Sequence, residues 1–68
     1  MYAKYAKLRD EKQMTDNAVA VASGVAQSTI YDWKQRAAIN PKASLSVENL
    51  LKISKALGVT VDYFAQDE

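Results

Sequence analysis

Apolar residues recur along this chain at intervals of three and four, and short runs of small or polar residues interrupt the rhythm. That spacing predicts helices, because 3.6 residues per turn brings positions i, i+3, i+4 and i+7 onto one face. A first helix is predicted from Tyr2 to Lys12, with Tyr5 and Leu8 on its apolar stripe and Met14 just past its end. Further on, Val47, Leu50, Ile53 and Leu57 form the stripe of another helix. Ser46 caps it, Glu48 lies in its first turn and Gly58 stands beyond its end. Lys52 and Lys55 point outward as solvated charges. Thr60 caps a short last helix, with Asp62 beside the positive end and Phe64 turned inward.

The middle of the chain is less regular. From Ala18 to Ala22 the residues read Ala-Val-Ala-Val-Ala, which fits a short strand as well as a helix. Three alanines, a cap at Thr15 and the lack of any second strand to pair with favour a helix over Thr15 to Ser23. Gly24 offers the positive backbone angle that a sharp exit needs. From Ala26 onward a second pattern begins, with Ala26, Ile30, Trp33 and Ala37 on one face. Gln27, Ser28, Tyr31, Asp32, Lys34 and Gln35 fan across the other, which carries no aliphatic residue. Ala26 is a poor cap, and Ser28 is expected to compensate by bonding backbone groups in the first turn. The phase of Trp33 beside Ile30 places it in the core rather than against a base, whereas Tyr31 phases with the polar face. A surface tyrosine without a partner is the plain alternative for Tyr31. The residues Gln35-Arg36-Ala37-Ala38 are able to continue the helix until Asn40-Pro41 stops it. A helix held from behind and polar in front suits entry into the major groove of DNA.

Composition narrows the chemistry more than it widens it. Sixty-eight residues suggest one small all-α domain spanning 1–68, with no repeat or linker. With neither Cys nor His, the chain has no disulfide, thiolate ligand, imidazole base or Ser-His-Asp triad, so no enzyme class and no cofactor is indicated. The longest apolar run, Ala18 to Ala22, is far short of the ~20 residues of a membrane span. Lys4, Lys7 and Arg9 break up any signal-peptide pattern, and the expected location is the cytoplasm. Net charge is only +1, but its distribution is uneven. Residues 1–12 carry +2, residues 34–42 carry +3 from Lys34, Arg36 and Lys42, and acids dominate elsewhere, down to Asp67-Glu68. Positive charge therefore brackets the polar helix, as a phosphate-contacting surface would. A merely solvated face accounts equally well for charge alone.

Several of these residues together resemble a known family. Val19-Ala20, Gly24-Val25, Gln27-Ser28-Thr29-Ile30 and Trp33-Lys34 look like the helix-turn-helix of phage Cro and repressor proteins. Leu50-x-x-Ile53 and the run Leu57 to Phe64 are similar to the end of the same domain, so the likeness covers Tyr5 to Phe64. The resemblance implies a compact five-helix, lambda repressor-like fold with helices 2 and 3 as the helix-turn-helix. It also implies a sequence-specific regulator, of phage or prophage repressor or Cro type, on a double-stranded DNA operator with inverted-repeat symmetry. Gln27, Ser28, Tyr31, Asp32 and Gln35 would face base edges, with Gln27, Ser28 and Asp32 best placed by motif position. Asn17, Thr29, Lys34, Arg36 and Lys42 would hold the DNA backbone. Relatives dimerise near the last helix, which makes Val61 and Tyr63 candidates for a homodimer interface, with core lining as the alternative. Pairing would be weak in free solution and completed on DNA.

The chain also departs from the family pattern. Relatives often have Gly near position 13, where this chain has Gln13, and Ser or Thr where it has Ala26. Some pair an arginine at the Arg9 position with an acid on the recognition helix, but the matching position here is Lys34. Ile39 and Asn40 stand where some relatives carry basic residues. These departures, Asp32 and the near-zero net charge keep a second class open: a protein-interaction module on the same fold, such as an antitoxin-like partner binder.

Overall fold

The computed structural model describes residues 1–65, so the acidic pair Asp67-Glu68 lies outside the described residues. It consists of helices α1 (Tyr2–Glu11), α2 (Asp16–Ser23), α3 (Gln27–Ile39), α4 (Val47–Leu57) and α5 (Val61–Ala65), with no strand among the described residues. The ambiguous alanine-valine run is therefore helical. Its start is capped as expected: the Thr15 hydroxyl accepts from the Ala18 N–H at 3.1 Å, and Asp16 sits in the first turn. Ser46 caps α4 in the same way, accepting from the Asn49 N–H at 3.2 Å.

The turns explain how three short helices meet so closely. Gly24 ends α2 at φ +81°, in the left-handed region that glycine enters without steric cost. The Ser23 hydroxyl then accepts from the Val25 N–H at 3.2 Å, which bends the chain into α3. Ala26 precedes α3 with no side-chain cap, and the Ser28 hydroxyl makes no hydrogen bond among the described residues, so the expected compensation does not occur. Gln13, which replaces the family glycine, nevertheless adopts φ +56°. The turn keeps its glycine-like backbone and carries the strain of a side chain there.

One core gathers all five helices. Tyr5, Val19, Ile30, Trp33, Ile53 and Phe64 are fully buried, joined by Leu8, Ala20, Leu50 and Leu57 and by Val25, Ala43 and Leu45 from the connections. Each fully buried aliphatic or aromatic side chain contributes roughly 1.5–3 kcal/mol relative to exposure. α2 packs on α4 and α3, while α1 packs on α3 and α5. Trp33 is at the centre, with its ring centroid 5.2 Å from those of both Tyr2 and Tyr5. Its indole N–H donates to the Ala43 carbonyl at 2.8 Å, which ties the connector after α3 onto that helix. Two stripe assignments need correction. Val47 is 77% exposed, because the first turn of α4 projects beyond the core that Leu50, Ile53 and Leu57 reach. Ala26 is exposed and Ala37 only half-buried, because Ala26 precedes α3 and Ala37 lies past the last core contact, so Ile30 and Trp33 alone anchor the helix.

Candidate nucleic-acid interface

α3 has an anchored back and an open front. With Ile30 and Trp33 buried, Gln27, Ser28, Tyr31, Asp32 and Gln35 are all exposed, and Tyr31 keeps 60% of its surface free. From Ser28 to Gln35 these side chains span about 10 Å of helix axis. A helix of ~10–12 Å diameter fits a major groove ~12 Å wide. Past Gln35 the front continues to Ile39, which is 88% exposed and ends α3. The polar pattern did not single out Ile39, because an apolar residue does not register in a pattern of polar positions.

Two candidate residues are bound to each other. Arg36 donates from Nε to Asp32 Oδ2 at 2.9 Å, an i,i+4 ion pair, and from Nη1 to the Ser44 carbonyl at 3.0 Å. The i,i+4 spacing was visible in the sequence; the reach to Ser44 was not, since it depends on how the connector folds back. Residues 43 and 44 thus hang by their carbonyls from consecutive turns of α3. Lys42 is exposed beside them, and its N–H donates to Asn40 Oδ1 at 3.1 Å.

The other flank is built on Asp16. Arg9 finds its acid there rather than on α3: Nη1 lies 2.8 Å from Asp16 Oδ1, and the Tyr5 hydroxyl donates to the same oxygen at 2.7 Å. Burial works against ionisation of Asp16, but the hydrogen bonds from Arg9 and Tyr5, helped by the charge of Lys34, hold its carboxyl below the usual range. Burial, then the bond to Asp16, push the Tyr5 phenol well above its ordinary value. This network joins α1 to the first turn of α2, where Asn17 is exposed. Lys34 is exposed at the edge of α3, beside a groove lined also by Tyr2, Ala3, Ala37, Ala38 and Pro41. Thr29 is half-buried. Val61 and Tyr63 stand apart from all of these on α5, half-buried against the core, with Lys4 Nζ 5.1 Å from the centre of the Tyr63 ring.

Among the described residues no helix is long and apolar enough to cross a membrane, and no cluster of His, Cys, Asp or Glu could hold a metal ion. None of the curated proteins and none of the solved structures compared with the chain matches it. A family model described as Helix-turn-helix matches residues 6–64, from within α1 to the buried Phe64 of α5. The capped α2, the glycine exit and the anchored, outward-polar α3 lie inside that match, and the chain belongs to the helix-turn-helix family of lambda repressor and Cro type, whose members are DNA-binding regulatory domains.

Proposed function

We propose that the chain is a sequence-specific transcriptional regulator, of phage or prophage repressor or Cro type, that reads an inverted-repeat operator by placing α3 in the major groove. The observation that carries this is the exposed polar front of α3, backed by buried Ile30 and Trp33. Gln27 offers a two-atom match to an adenine edge, Asp32 accepts from a cytosine N4, and Ser28, Tyr31 and Gln35 complete the face. Asn17 and Thr29 on one side, with Lys34 and Lys42, hold the phosphates and set the register, and Arg36 stands beside them. A single helix reads too few base pairs to mark one genomic site, so two copies work together on DNA. Val61 and Tyr63 are the candidate contact between them.

Selecting bound duplex from a random pool tests this reading. Enrichment of one inverted repeat supports it. The exposed Asp32 carboxylate on the front of α3 favours a second reading, a partner-binding module on the same fold. No enriched sequence, with no duplex retained at moderate salt, would turn the assignment that way.

A further inference from the structure

The reading front of α3 carries an acid, which by itself repels phosphate and swings freely on an exposed side chain. Arg36 answers both difficulties. A guanidinium presents five N–H donors in a rigid fork, so it serves two acceptors at fixed angles, as a lysine ammonium does not. Here one branch holds Asp32 Oδ2 at 2.9 Å and the other the Ser44 carbonyl at 3.0 Å. The pair balances the charge of Asp32 where DNA would approach. Oδ1 of Asp32 has no hydrogen bond among the described residues, and it is left to accept from a base. The same arginine joins the front of α3 to the connector that carries Lys42, next to the Trp33 bond to Ala43.

We propose that Arg36 is a positioning residue for base readout rather than a phosphate contact: by bridging Asp32 to the Ser44 carbonyl it orients the Asp32 carboxylate and couples base discrimination to the placement of the connector. This rests on the DNA-reading function proposed above, and it departs from the simple assignment of Arg36 to the DNA backbone. A phosphate-binding arginine would have to leave one of its two partners. A bridging arginine keeps both, and its removal is felt at one base pair rather than along the whole site.

The test uses Arg36→Gln, Arg36→Lys, Asp32→Ala and the double variant Asp32→Ala/Arg36→Gln on the operator selected by the wild-type chain. Arg36 is exposed, so thermal melts within a few degrees of wild type are expected and establish that the variants fold. Arg36→Gln should lose about tenfold or more in discrimination at the base pair that Asp32→Ala affects, the scale of one base contact. The slope of log affinity against log salt should stay unchanged. Arg36→Lys should fail to restore discrimination, and in the double variant Arg36→Gln should add no further loss there. In the free protein, Arg36→Gln should shift the amide NMR signals of Lys42 to Leu45. A slope reduced by about 0.9 with affinity lost evenly across sequences would make Arg36 a phosphate contact and overturn the proposal. Unmoved connector amides would overturn it as well. Failure of the wild-type chain to enrich any operator removes the DNA-reading function and this role with it. An enriched operator whose discrimination survives Arg36→Gln removes only the role of Arg36.

Discussion

Trp33 shows how much one side chain does in a domain of this size. Its ring is fully buried between Tyr2 and Tyr5, and its N–H takes up the Ala43 carbonyl. Trp33→Ala should cost about 3–5 kcal/mol, close to the ~3–5 kcal/mol such a core supplies in total. Loss of a cooperative thermal transition is the expected result; a melting temperature within a few degrees of wild type would contradict the central role given to Trp33. Asp16 matters through charge rather than volume. Its folded pKa lies below the ordinary value, so its contribution is complete above about pH 5 and disappears as pH falls through the folded value. Asp16→Asn should therefore be less stable at pH 7, by about 1.5–3 kcal/mol for hydrogen bonds to a charged group. It should also lose less stability than wild type between pH 5 and pH 2, which urea midpoints across that range would show.

At the level of elements, the ends of the helices are where sequence and backbone disagree most. α2 has its Thr15 cap and its Gly24 exit, whereas α3 starts behind Ala26 with no side-chain cap. Ala26→Ser should supply the missing acceptor and raise stability by about 1 kcal/mol. No gain in the urea midpoint would mean that the extended backbone at Ala26 does not aim a serine hydroxyl at the first turn. The α1–α2 turn has the opposite fault, a side chain at φ +56°. Gln13→Gly relieves a left-handed cost of roughly 1–2 kcal/mol and gives part of it back through the greater freedom of the unfolded chain. A net gain of about 0.5–1 kcal/mol is expected, read again as a shift in midpoint. Helix α3 itself is set by its two buried residues, and this is why its front is free to vary in chemistry without unfolding the domain.

For the whole molecule the proposed assembly has a measurable signature. Two copies on an inverted repeat should protect two half-sites with centres about 34 Å apart. If each copy neutralises about four phosphates, the slope of log affinity against log salt approaches −7. Footprinting and a salt titration on the selected operator check both numbers, and protection of one half-site with half that slope would show a monomer. The two halves of the claim draw on different surfaces. The slope depends on Asn17, Lys34, Lys42 and their neighbours around α3, while the pairing depends on α5, where Val61 and Tyr63 already lie half-buried against their own core.

What the amino-acid order determined by itself is local: five helices, the Thr15 and Ser46 caps, the Gly24 exit and the burial of Trp33 opposite Tyr31. Each follows from periodicity or capping within a few residues, because a helix satisfies its own backbone and shows its neighbours a fixed face. The family likeness rested on the same local spacing. Only the tertiary structure decided where the long-range polar partners lie. Arg9 reaches Asp16 rather than α3, Arg36 reaches back to Ser44, and Val47 stands outside the core despite its phase. A side chain's phase says which way it points, and what it meets there depends on how connectors and neighbouring helices fold around it.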